Sequence, residues 1–238
     1  MPTGINCDLG EGMDNDARIM PFITTANIAC GYHAGDAVTM RTTIELCLEH
    51  QVAIGAHPSF YDRENFGRKE LNLPVQELYE LIIQQLLLLN DITNELGGQL
   101  QHVKPHGALY NLAARDQVTA RIIARAVQDF NRDLILVGLS GSHAIREARL
   151  LGLPTASEVF ADRTYRDDGS LTPRSEPGAL ITETEQAVQQ VVQMVQEGVV
   201  TSVNGVRIPV EADTICIHGD GPQAVAIAKA IHGALPLS

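Results

Sequence analysis

Carboxylates, histidines and a lysine collect where short apolar runs end. Asn6 and Asp8 lie in the first run and Glu11 just beyond it. His33 and Asp36 follow the second run, His57 stands before Pro58, and Lys104 and His106 flank Pro105. Glu158 leads into Asp162 and Arg163, and His218 precedes Asp220. Four of the 8 histidines (His33, His57, His106 and His218) sit at such ends. Carboxylates and imidazoles brought together perform general acid–base chemistry, and a lysine among them can stabilise developing negative charge. Asp8, His33 and His57 could also form a carboxylate–His–His metal site. Their separations follow neither one helix nor one strand, so spacing neither supports nor excludes a divalent metal. His57 could instead bond a carbonyl at a turn, and Lys104 could reach solvent along its stem. The apolar neighbours Val103 and Pro105 favour a pocket for Lys104.

The elements that must position these residues alternate. Strand signals fall at 5–9, 25–30, 52–56, 100–104, 134–137, 156–160, 179–181 and 214–217. Helical periodicity falls at 38–50, 75–96, 117–130, 142–151, 183–196 and 222–230. Alternation of this kind makes βαβ units and a mostly parallel sheet, as a β/α barrel or an open α/β fold. In such folds the carboxyl ends of the strands share one face, where catalytic groups gather. Asn6 and Asp8, two apart, point to the same side of their strand. Asp36 is placed to cap the next helix, Pro74 fits a first helical turn, and Gly97-Gly98 ends the long helix. Asn204-Gly205 between two short runs predicts a hairpin with a type I′ turn. The long polar segments 58–73 and 161–177 read as functional loops. Residues 1–238 read as a single domain.

Composition removes several function classes. There are 29 acidic against 17 basic residues, a net charge of −12, which argues against nucleic-acid or anionic-membrane partners. No apolar stretch is long enough to span a bilayer, and no leader pattern opens the chain, so a cytoplasmic location is expected. The 4 cysteines form no C-x-x-C pair; Cys30 and Cys216 read as small buried hydrophobes. No G-x-x-x-x-G-K-[ST] loop, H-E-x-x-H helix, G-x-S-x-G elbow or dinucleotide fingerprint is present. Acid–base chemistry on carboxylates, histidines and a lysine is what remains. The leucines at 86–89 could mark an interface for a partner or a homo-oligomer, or a helix buried on two sides.

Longer blocks carry a family resemblance. Asn6-Cys7-Asp8-Leu9-Gly10-Glu11-Gly12, Ala26-Asn27-Ile28-Ala29-Cys30-Gly31-Tyr32-His33 and Gly55-Ala56-His57-Pro58-Ser59 come first. Asn65-Phe66-Gly67-Arg68, His102-Val103-Lys104-Pro105-His106-Gly107, Glu158-Val159-Phe160-Ala161-Asp162-Arg163 and Cys216-Ile217-His218-Gly219-Asp220 follow in order. The chain resembles the LamB/YcsF family, the A subunits of bacterial 5-oxoprolinase. Its first loop, 12–21, is shorter than the tryptophan-containing insert of many relatives.

The resemblance implies an irregular seven-stranded β/α barrel like that of polysaccharide deacetylases. It implies ATP-dependent cleavage of 5-oxoproline to L-glutamate, with ATP as co-substrate and subunits B and C as partners. On that reading Asp8 or His57 acts as general base, while Lys104 and His106 stabilise negative charge. Arg163 and Arg174 clamp the substrate carboxylate, and Asn6, Glu11, His33, Glu158 and His218 complete the binding surface. Lys104→Ala is then expected to lose turnover with folding kept. A metal-dependent deacetylase or amidohydrolase, and a non-catalytic binding subunit, are the rival readings.

Overall fold

The apolar runs become strands that all point the same way. The computed structural model describes residues 4–219, 221 and 223–235, so Asp220 and the first position of the expected helix 222–230, Pro222, lie outside the described residues. Strands β1 (Gly4–Leu9), β2 (Thr25–Ala29), β3 (Ala53–His57), β4 (Leu100–Val103), β5 (Ile135–Leu139), β6 (Thr155–Phe160) and β9 (Thr214–His218) close a parallel barrel in that order. β9 pairs with both β6 and β1 and completes the ring. The seven-stranded β/α barrel is therefore the fold, and all seven carboxyl ends share one face.

Helices α1 (Asp16–Ile19), α2 (Ala37–His50), α3 (Val75–Glu95), α4 (Gly107–Arg115), α5 (Gln117–Phe130), α6 (His143–Leu150), α7 (Thr184–Glu197) and α8 (Ala224–Ala234) accompany the strands. Asp36 caps α2 by accepting the Thr39 N–H at 2.8 Å. Pro74 stands one residue before α3, at the cap rather than in the first turn. α3 ends as expected, with Gly97 at positive φ and the Gly97 and Gly98 amides donating to Asn94 and Thr93 carbonyls.

In α3, Leu78, Ile82, Leu86 and Leu89 are buried while Leu87 and Leu88 are exposed. That is one helical stripe, each fully buried leucine contributing about 1.5–3 kcal/mol. Gln85 breaks the aliphatic stripe for a reason. Its buried amide accepts from Ser59 N and donates to Ser59 O, both at 2.9 Å, and pins the start of the 58–73 loop.

The structure differs from the sequence pattern in three further places. Residues 179–181 are not a barrel strand: Ala179 and Ile181 are buried, but Leu180 makes only an isolated bridge to Arg163. The hairpin exists as β7 (Val199–Thr201) and β8 (Arg207–Pro209), yet of Asn204-Gly205 only Gly205 takes positive φ. A type I′ turn needs both, so the five-residue connection uses another geometry, with the Ser202 hydroxyl accepting the Asn204 and Val206 amides. Helices α1 and α4 have no counterpart among the periodic segments. α4 begins at Gly107, a poor helix former, with only residues 104–106 between it and the end of β4.

The barrel interior is polar on one side of its strands. Asn6, Asp8, Asn27, His102, Lys104 and Glu158 are all buried and bond to one another across the lumen. Gly55 makes this possible. A Cβ there would lie 2.0 Å from His102 Nε2, so only glycine leaves room for the imidazole.

Candidate active site

Period-two alternation on β1 sends Asn6 and Asp8 into the lumen, and β4 sends His102 with Lys104 beyond its end. Lys104 Nζ lies 2.9 Å from Asp8 Oδ1, 2.8 Å from Glu158 Oε1, 3.2 Å from Asn6 Oδ1 and 3.1 Å from Cys216 Sγ. Burial disfavours the ammonium, but the Asp8 and Glu158 carboxylates outweigh it and hold the lysine well above its usual range. Asp8 is the counterpart. Burial would raise it, yet His57 and Lys104 keep it well below the ordinary carboxylate range.

Asn27, which lies inside a strand rather than at its end, ties this floor together. Its amide donates to Asn6 Oδ1 and Asp8 Oδ1, both at 2.8 Å. Its carbonyl oxygen therefore accepts from His102 Nε2 at 2.8 Å, which fixes the proton on that nitrogen. Burial pulls His102 down to about 3. Above about pH 6.5 the ring is neutral in both folded and unfolded chains, so its contribution is complete there. As pH falls below that, the unfolded chain takes up a proton that the folded one refuses. Stability is then expected to fall by about 1.4 kcal/mol per pH unit through this group, down to about pH 3. Urea midpoints at pH 7 and 5, with the His102 ring followed by NMR, check this. Protonation of His102 in the folded protein near pH 6.5 would contradict it.

Above the floor stand three imidazoles. His57 Nδ1 donates to Lys104 O at 2.7 Å, leaving Nε2 toward Asp8 Oδ2 at 3.3 Å. His106 Nε2 donates to Phe66 O at 2.9 Å, and its Nδ1 lies 2.9 Å from His57 Nε2. His33 stacks on His106 with ring centroids 3.8 Å apart and faces Glu11 Oε1 at 3.1 Å. Burial lowers both His33, to about 3, and His106, well below its usual value. Glu11, His33, His57 and His106 each offer one donor atom within 4.8 Å of the others, and Asp8, Cys216 and His218 form a second such group. The expected trio of Asp8, His33 and His57 is thus divided between two clusters.

A cavity of about 700 Å³ opens over this floor. Asp8, Glu11, His57, Lys104, His106, Arg163, Arg174 and His218 line it, whereas Asn6, His33 and Glu158 lie behind that lining. Asn6 and Glu158 hold Lys104 from below, and Glu158 is 0% exposed. Arg163 is turned inward: its guanidinium donates to the Thr172 and Ala179 carbonyls and anchors the 161–180 loop. His218 Nδ1 pairs with Asp162 at 2.9 Å, and Phe160 stacks on its ring. Arg68, Tyr110 and Arg146 also stand on the wall, though their positions in the sequence did not single them out for it. Arginines here oppose the global negative charge and suit an anionic ligand.

Relatives match this chain along nearly all of its length. The LamB/YcsF family model matches residues 3–237. The A subunit of the Shouchella clausii 5-oxoprolinase is 52% identical over 236 residues, covering 97% of this chain and 93% of that protein. The lactam utilization protein of Thermus thermophilus superposes with a TM-score of 0.91 at 41% identity, over 98% of this chain and 96% of that one. A family 4 carbohydrate esterase of Streptomyces lividans superposes with a TM-score of 0.50 at 10% identity, over 98% of this chain and 88% of that one, a likeness of fold alone. With a family model spanning almost every residue and a relative of more than half identical sequence, this chain belongs to the LamB/YcsF family.

Proposed function

We propose that this chain opens the lactam ring of 5-oxoproline to L-glutamate, as the A subunit of an ATP-dependent 5-oxoprolinase working with subunits B and C. The observation that carries the reading is the pairing of a carboxylate–imidazole floor, Asp8 and His57, with an arginine-bearing wall, in a chain 52% identical to a relative of that name. A five-membered lactam is an unreactive amide. Transfer of the ATP γ-phosphoryl group to its oxygen would make the ring carbon a better electrophile. Water then adds to that carbon, the C–N bond breaks to give an open-chain acyl phosphate, and a second water releases phosphate.

His57 is suited to deprotonate the first water. Its Nδ1–H is fixed on a carbonyl, so its basic Nε2 faces the cavity beside ionised Asp8. Lys104 stays charged and supplies the positive field. With Nε2–H committed to Phe66, His106 offers an acceptor, so charge stabilisation falls to Lys104 and the arginines. Arg163 is committed to its own loop, which leaves Arg174 as the carboxylate clamp. The chain has no phosphate loop, and we assign nucleotide handling to B and C. We treat residues 1–238 as one barrel domain, and place the activity in the cytosol, which the four free cysteines support.

The test is glutamate formation from 5-oxoproline and ATP by B and C, with and without this chain. Glutamate should require the chain. Arg174→Gln should raise KM for 5-oxoproline by about 10–100-fold, the worth of one charged hydrogen bond, and move kcat less. Equal glutamate formation without the chain would refute the assignment.

A further inference from the structure

His57 and His106 meet through nitrogens that cannot both be satisfied as neutral rings. His57 Nδ1 and His106 Nε2 face the carbonyl oxygens of Lys104 and Phe66, at 2.7 and 2.9 Å. A carbonyl only accepts, so both of these nitrogens carry the proton. The inward nitrogens, His57 Nε2 and His106 Nδ1, then present lone pairs to each other at 2.9 Å. Glu11 Oε1, another electron-rich atom, is 3.3 Å from His106 Nδ1 and 3.9 Å from His57 Nε2. His33 Nε2 is 3.1 Å from the same oxygen. Electron pairs converging like this repel unless a cation sits among them.

We propose that Glu11, His33, His57 and His106 bind a divalent transition-metal ion, zinc or a close neighbour, at the cavity floor. A proton would bridge only one pair of these atoms. An ion with ligand bonds of about 2.0–2.1 Å places four tetrahedral donors about 3.3 Å apart. The four separations of 2.9, 3.1, 3.3 and 3.9 Å bracket that edge. The rings are already held: main-chain carbonyls take the outer N–H groups of His57 and His106, the device that orients metal-bound imidazoles. Phe66 packs edge-on against His33 and His106, with centroids 5.6 and 5.4 Å away. Three nitrogens and one carboxylate oxygen favour zinc, cobalt or nickel over magnesium or calcium.

The second group of donors is less suited to an ion. Asp8 Oδ1 is engaged by Lys104 and Asn27, Cys216 Sγ by Lys104, and His218 Nδ1 by Asp162. The ligand set therefore departs from the Asp8, His33 and His57 trio expected from sequence. Glu11 and His106 replace Asp8, and all four ligands come from the ends of β1 to β4.

The site shares His57 Nε2 with the oxoprolinase reading, in which an occupied site passes the role of base to Asp8, and the experiment reads binding itself. Chelator-treated full-length protein would be titrated with cobalt(II), followed by visible absorption, and with zinc(II), followed by calorimetry. One equivalent should bind, with ligand-field bands and no thiolate-to-metal band. Glu11→Gln, which keeps side-chain volume, and His106→Gln should each weaken binding at least tenfold, while Asp8→Asn should bind like the parent. Circular dichroism checks folding, and Glu11→Gln decides the matter if His106→Gln does not fold. Absence of stoichiometric binding, unchanged binding in Glu11→Gln, or a near-ultraviolet thiolate band pointing to Cys216 would each overturn the site. A chain that binds no ion yet supports glutamate formation refutes the metal site alone. One that binds the ion without supporting glutamate formation refutes only the oxoprolinase reading.

Discussion

Lys104→Met is expected to abolish turnover and to destabilise the fold together. The methionine nearly matches the stem of the lysine but removes the ammonium between Asp8 and Glu158. Two carboxylates would remain in the lumen, one of them 0% exposed, with no cation beside them. Breaking a buried pair from one side costs about 3–5 kcal/mol, because the abandoned charge cannot reach water. This revises the simpler expectation that the lysine could be removed with folding intact. Urea unfolding and glutamate formation should both be measured. Lys104→Met/Glu158→Gln should recover part of the stability, since it neutralises one stranded carboxylate, but no activity. A single variant with unchanged midpoint and turnover would show that the pairing is not what holds this floor.

Asp8→Asn should separate chemistry from stability. Asparagine keeps the shape and leaves an oxygen for Asn27 and Lys104, but removes the charge that faces His57 Nε2. Loss of an acid–base partner typically costs about 10²–10⁴ in rate, so kcat should fall within that range with the complex still assembled. His57→Gln should fall comparably. The double variant should lose little more than either single one, because residues acting as a unit are not additive. Parental turnover in Asp8→Asn would move the reaction off this carboxylate.

Much of the frame is legible locally. The helix 117–130 appears with the bounds its pattern indicates, and the cap at Asp36 and the stop at Gly97 are where their backbone and side-chain chemistry puts them. The clustering of His33, His57, Lys104, His106 and His218 on one face follows from strand ends alone, once all strands are parallel. Strand ends do not reveal Asn27 and His102. Both lie within strands and face the lumen, and only His102, two residues before Lys104, repeats the spacing that links Asn6 with Asp8. Gly55, a glycine inside a strand, is the signal that a bulky neighbour approaches there.

Local pattern in the chain was enough for the alternation of strands and helices, for the face on which the ionisable groups gather, and for the family. Those follow from periodicities of 2 and 3.6 residues and from contiguous motifs, which act over short range. Which groups line the cavity and which support it from behind was settled by packing in three dimensions. Asn6 and Glu158 went beneath Lys104, Arg163 turned into its own loop, and Glu11 joined three histidines. The contact of Lys104 with Cys216 joins residues 112 positions apart. Contacts of that kind depend on strand register and barrel closure, which no local pattern encodes.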